Sequence, residues 1–216
     1  AKAALEDALA LDPARRKLLS SFGMAPPTGI LLYGPPGVGK TLLAKAVARL
    51  LRRQDMQVGG AFISLSSTDI VRSAVGEGEK MVASAFETAR LNSPSVIFID
   101  EFQALFIERT SGSSGRLSST LLQCLDDVKR WRDVKDEQRV EDNDGRILIL
   151  AATNTPWMVD KAFLRSGRFD RSVYVGLPDL DERQSILRLF ISRMKTAFGE
   201  KLSRAGDVFR ELAERT

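Results

Sequence analysis

The stretch Gly34-Pro35-Pro36-Gly37-Val38-Gly39-Lys40-Thr41 fits the pattern G-x-x-x-x-G-K-[ST]. It follows the apolar run Ile30-Leu31-Leu32-Tyr33 and opens a helical pattern, the strand, loop and helix context in which such a sequence wraps phosphate. Glycines let backbone N–H groups turn inward around phosphate oxygens, and the helix N-terminus adds positive potential. Pro36, Gly37, Val38 and Gly39 are candidates for the cradle. Lys40 can reach the β- and γ-phosphates of a bound nucleotide, and the Thr41 hydroxyl can ligate Mg²⁺.

A second segment, Val96-Ile97-Phe98-Ile99-Asp100-Glu101, is an apolar run ending in two acids. Asp100 is expected to serve nucleotide and metal, holding Mg²⁺ through water. Glu101 is expected to activate the attacking water. Alone, two acids ending a strand read equally well as a capped turn. Their place 60 residues after Lys40, in an alternating strand and helix pattern, selects the catalytic reading. Asn154 follows another apolar run, where an amide would lie beside the γ-phosphate; a turn asparagine is the plainer alternative. Arg165 and Arg168, three apart around Gly167, can present two guanidinium groups at an edge. Arginine suits charge on a transferring phosphoryl group. Composition alone favours a basic surface loop there.

The elements that must position these residues alternate. Runs at 30–33, 61–65, 96–99, 147–150 and 173–175 read as strands, and their near-continuous apolar character implies burial on both faces, as in a parallel sheet. Leu43, Val47, Leu50 and Leu51 recur with helical spacing, as do Met81, Val82, Ala85, Phe86 and Ala89. The expected architecture is α/β: a three-layer αβα P-loop NTPase sandwich with a five-stranded, mostly parallel sheet over residues 1–177. From 178 to 216 the pattern is helical only. Asp179 with Glu182 resembles a capping box, followed by the apolar residues Ile186, Leu187, Phe190, Ile191 and Met194 and a second helix over 205–214. This is the expected beginning of a truncated helical lid. Thr110–Gly115 reads as a loop, and 126–146, with 14 charged residues in 21, as a solvated helix end plus a surface turn.

The chain has one cysteine, Cys124, and no histidine. No intrachain disulfide is possible and a zinc site is not expected, so any catalytic base is a carboxylate, a lysine or water. The net charge of +4, from 32 basic and 28 acidic residues, leaves no nucleic-acid footprint. No apolar run approaches the roughly 20 residues of a membrane span. An intracellular, cytoplasm-like compartment is the expectation, with a nuclear or organelle-associated one as the alternative.

Together these segments resemble the AAA subfamily of AAA+ ATPases, from about residue 3 to residue 216. Gly34–Thr41 is similar to Walker A, Asp100-Glu101 to Walker B, and Ala151-Ala152-Thr153-Asn154 to the sensor-1 strand. The segment from Phe163 to Asp170 resembles the second region of homology. Met24–Tyr33 is most like the valosin-containing-protein, nuclear valosin-like and peroxisomal AAA group. The resemblance implies Mg-dependent ATP hydrolysis in a homo- or hetero-oligomeric ring, usually a hexamer, that remodels or unfolds proteins with the help of adaptors. It implies that Glu101, Asn154, Arg165 and Arg168 are catalytic, the two arginines acting as fingers in a neighbour's site. A regulatory ATP-binding module that mainly supports ring assembly is the alternative. A P-loop kinase or a clamp-loader-like DNA protein would share Walker A but not the arginines in this setting.

The chain departs from the family pattern where relatives have Asp-Glu-x-Asp, since it has Asp100-Glu101-Phe102-Gln103. In the loop that grips substrate, Ala74 stands where an aromatic usually precedes a Val-Gly-like pair. An alanine offers far less apolar area than a phenylalanine or tyrosine, so weak grip is expected. The segment carrying sensor 2 and the upstream segment that helps hold adenine are not seen in the sequence.

Overall fold

The computed structural model describes residues 5, 21–22, 27–54, 61–74, 76–106, 113–137, 147–193 and 206–215. Contacts divide the chain into two compact units, Ala1–Val175 and Gly176–Thr216.

The first unit is built on five strands: β1 (Gly29–Tyr33), β2 (Ala61–Ser66), β3 (Ser95–Asp100), β4 (Ile147–Thr153) and β5 (Phe169–Tyr174), in the order β2-β3-β4-β1-β5. Every described pairing is parallel. Strand side chains alternate between faces, and two separate cores follow. Leu31, Ile97 and Ile149 pack on one face with Val82, Phe86, Leu121 and Leu125. Ile30, Leu32, Val96, Phe98, Leu148 and Leu150 pack on the other with Ala44 and Val47. A sheet covered on both faces explains why β3 and β4 read as unbroken apolar runs. β5 is an edge strand, and its exposed Asp170, Arg171 and Ser172 interrupt the apolar signal. That is why the sequence placed it at 173–175, four residues late.

The covering helices are α1 (Lys40–Gln54), α2 (Ser67–Arg72), α3 (Glu77–Leu91) and α4 (Ser113–Glu137). In α3, Val82, Ala85, Phe86 and Ala89 are buried, whereas Met81 is exposed and falls off the expected stripe. The short helix α2 gave no periodic signal. Its N-cap is Ser66, whose hydroxyl accepts from the Asp69 N–H. Thr110–Gly115 does not form the expected loop throughout: α4 already begins at Ser113, so its small residues open a helix. Residues 110–112 lie outside the described residues. The charged stretch from 126 is helical to Glu137, and 138–146 are again outside them.

A 3₁₀ turn at Phe102–Phe106 follows β3. Phe102 meets the rings of Phe106, Phe163 and Phe169 edge-on at centroid distances of 5.3, 5.3 and 5.2 Å. Edge-to-face pairs at this spacing are favourable beyond the area they bury. The residue after Glu101 is therefore anchored against both flanks of the Arg165–Arg168 turn.

In the second unit, α5 (Leu180–Arg193) starts with a reciprocal capping box. The Glu182 N–H donates to Asp179 Oδ1 and the Asp179 N–H to Glu182 Oε2, at 2.8 and 3.2 Å. It packs on α6 (Gly206–Arg215), whose Phe209 and Ala213 are buried and whose Phe209 ring lies under the Arg188 guanidinium. Ile186 and Phe190, expected on the apolar face, are exposed among the described residues, and Met194 lies outside them.

Candidate nucleotide site

β1 delivers the chain into Gly34, where a Cβ would stand 2.0 Å from the Val175 carbonyl oxygen, so only glycine fits. Gly37 and Gly39 have φ of +80° and +89°, a region glycine enters without steric cost. Nothing lies within 4 Å of where their Cβ atoms would be, so the loop opens onto solvent rather than onto protein. Lys40 is 8 % exposed. Its Nζ donates to the Gly34 and Pro35 carbonyls at 2.9 and 2.7 Å and to Asn154 Oδ1 at 2.6 Å. Burial pushes the Lys40 pKa down, and Asp100 opposes that. The ammonium is thus surrounded by oxygens, the ligand type that a polyphosphate provides.

The end of β3 supplies the acids. Thr41 Oγ1 donates to Asp100 Oδ2 at 2.9 Å, which brings the two proposed metal ligands together. Asp100 Oδ1 accepts from the Glu101 N–H. Glu101 has φ of +51°, left-handed backbone in a residue that is not glycine. Such conformations cluster at functional sites. Its exposed carboxylate accepts from the Thr68 hydroxyl on α2.

From β4 comes Asn154, whose amide oxygen faces Lys40. The preceding Thr153 is 1 % exposed. Its Oγ1 donates to Gln103 Oε1 at 2.8 Å and accepts from the Thr155 N–H at 3.1 Å, while its carbonyl accepts from the Gly34 N–H at 3.3 Å.

A cavity of about 550 Å³ is lined by Pro36, Gly37, Gly39, Lys40, Thr41, Asp100, Glu101 and Asn154. Ser64, Leu65 and Ser66 at the end of β2 also line it. Val38 belongs to the same loop and is partly exposed. Thr68, Gln103, Thr153 and the β2 residues were not singled out for this cavity by the sequence. Their partners are 33 or more residues away, beyond any local spacing rule.

Arg165 and Arg168 stand apart from this cavity. Arg165 is exposed, and no hydrogen bond or ion pair among the described residues holds its side chain. Arg168 is engaged within its own chain. Its Nε and Nη2 donate to the two oxygens of Asp126, both at 2.9 Å, and its Nη1 to the Ala162 carbonyl. This two-pronged pair holds the Asp126 carboxyl below the usual carboxylate range and the Arg168 guanidinium above its own. Gly167, at φ +89°, makes the turn between the arginines.

Ala74 is exposed in the short link between α2 and α3, where its N–H donates to Glu77 Oε2 at 3.2 Å. Gly76 turns left-handed into α3.

Residues 30–177 match the model of the ATPase family associated with various cellular activities (AAA). The proteasome-activating nucleotidase of Pyrococcus furiosus is 39% identical over 194 residues, 88% of this chain and 45% of that protein. The one from Methanothermobacter thermautotrophicus is 41% identical over 184 residues, 84% of this chain and 41% of that protein. The chain therefore spans less than half the length of these curated relatives. They correct the finer placement in the valosin-containing-protein group.

Proposed function

Because this chain belongs to the AAA family of ATPases, we propose that it binds Mg-ATP on the Gly34–Thr41 loop and hydrolyses it between neighbouring copies in a ring. The observation that carries the reading is that Lys40 meets Asn154, and Thr41 meets Asp100, in one cavity. Phosphate oxygens would replace the carbonyl and amide oxygens around Lys40. Mg²⁺, held by Thr41 and, through water, by Asp100, would neutralise charge on those oxygens. Asn154 would orient the γ-phosphate and the water. Glu101, turning from Thr68, would accept the proton of that water as its oxygen attacks the γ-phosphorus and ADP leaves.

Arg165 would reach into the neighbouring copy's cavity. Arg168 would first have to leave Asp126 to do the same, so within this reading its role is to fasten the turn. The ring, usually a hexamer in this family, would remodel or unfold a protein delivered by adaptors in an intracellular compartment. The names of the relatives point to the proteasome as one place where such work is used. No helix among the described residues is long and apolar enough to cross a membrane. A regulatory module that mainly supports assembly is the second reading, favoured by the short Ala74.

Two variants test the first reading by calorimetry and phosphate release. Lys40→Ala should abolish ATP binding. Glu101→Gln should keep ATP bound and slow turnover by about 10²- to 10⁴-fold. Unchanged affinity in the first, or near-normal turnover in the second, refutes the corresponding role.

A further inference from the structure

We infer that Gln103 is a positioning residue for hydrolysis, acting through Thr153. The inference rests on the ATPase reading above. Gln103 belongs to the 3₁₀ turn that begins immediately after Glu101, and the Ala104 N–H closes that turn on the Glu101 carbonyl at 2.8 Å. Its amide oxygen takes the hydrogen of the buried Thr153 hydroxyl. That hydroxyl can donate only once. With its proton committed to Gln103, its lone pairs face the Thr155 N–H, which fixes the backbone on the far side of Asn154. The Thr153 carbonyl, on the near side, holds the first residue of the phosphate loop.

One residue, Thr153, is therefore bonded to the Glu101 turn, the Asn154 turn and Gly34, and Gln103 supplies the first of these bonds. No other link between the Glu101 turn and the end of β4 appears among the described hydrogen bonds. The Glu101 backbone is left-handed, a conformation that persists only where surroundings over-determine it. Phe102, buried among three rings, fixes one side of that turn. Gln103 fixes the other. The expected acid at this position would accept the same hydrogen. The amide does so without adding a third negative charge beside Asp100 and Glu101.

Losing this bond should misplace Glu101 relative to Asn154 while leaving the loop that binds phosphate in place. In catalysis, displacement on the ångström scale costs rate rather than binding. In the full-length protein, Gln103→Leu should lower kcat for ATP about tenfold or more, with KM within about threefold of wild type. Gln103→Glu, which keeps the acceptor at the same reach, should recover kcat to within about threefold. Thr153→Val, which also removes the acceptor of the Thr155 N–H, should lose at least as much as Gln103→Leu, and the double variant should lose no more than Thr153→Val alone, because the link to Gln103 is already gone.

Glu101→Gln is measured alongside. If Glu101→Gln stops turnover while Gln103→Leu does not, the positioning role is wrong and the ATPase reading stands. If Glu101→Gln turns over normally, Glu101 does not activate the water and this inference falls with that role; absence of ATP turnover in the wild-type protein would refute the ATPase reading itself. Loss of ATP binding together with a lowered Tm in Gln103→Leu, or multiplied losses in the double variant, would show a merely structural role and overturn the proposal.

Discussion

At the ends of β1, β3 and β4 the chemistry-bearing side chains are partnered inside their own chain: Lys40 with Asn154, Thr41 with Asp100, Glu101 with Thr68. Across the Phe102 cluster, at the start of β5, the arrangement is reversed. There the packing is complete and Arg168 is bound, but Arg165 points outward with no described partner. The first region could bind a nucleotide as a single copy. In the proposed function, the second acts only when another copy supplies a phosphate. Within that proposal, the requirement for assembly rests on one side chain, Arg165, rather than on the whole domain.

The contrast is broken most decisively by separating the two regions onto different copies. Arg165→Ala should slow hydrolysis by about 10³- to 10⁵-fold in an assembled ring while ATP still binds. Mixing it with Lys40→Ala copies should restore part of the activity, because some interfaces then pair an intact loop with an intact arginine. Mixed rings with no activity would place Arg165 outside the reaction.

A smaller effect sharpens the difference between the arginines. Arg168→Asp should lower turnover about tenfold or more by setting two carboxylates against each other. Exchanging the charges, with Asp126→Arg beside it, should recover most of the loss if Arg168 fastens the turn. A double variant as slow as the single one would mean that the guanidinium itself is needed at position 168, as in a finger. The Asp126 carboxyl is held below its usual range, so the link is intact at neutral pH and is lost only as pH falls through that lowered value.

The smallest effect is expected at Ala74. Ala74→Tyr should leave ATP affinity unchanged and leave threading of an unfolded polypeptide equal or improved, by a few-fold at most. A wild-type ring that already threads as fast as the tyrosine variant would show that grip does not depend on this side chain.

Much of this was legible in the sequence because the signals are local. Gly34–Thr41 is one contiguous pattern, and β3 and β4 are unbroken apolar runs because both faces are covered. β5 was misplaced because the exposed Asp170, Arg171 and Ser172 break its apolar run. The opening of α4 was read as a loop because serine and glycine carry no periodic signal. In the site, Lys40, Thr41, Asp100, Glu101 and Asn154 could be named from their places at strand ends. Their companions could not: Thr68, Thr153 and Asp126 matter through partners 33, 50 and 42 residues away, respectively. Gln103 was visible only as a departure, and its partner gave that departure a meaning.

The left-handed backbone at Glu101 bears on how this protein can be improved or worn down. A non-glycine residue held there costs on the order of 1–3 kcal/mol, a sizeable fraction of the stability of a small domain. Asparagine or glycine would relax the backbone, yet neither carries a carboxylate at the required reach. If Glu101 activates the water as proposed, heat resistance and turnover compete at this position. Engineering for robustness would then relax this backbone only at the expense of turnover.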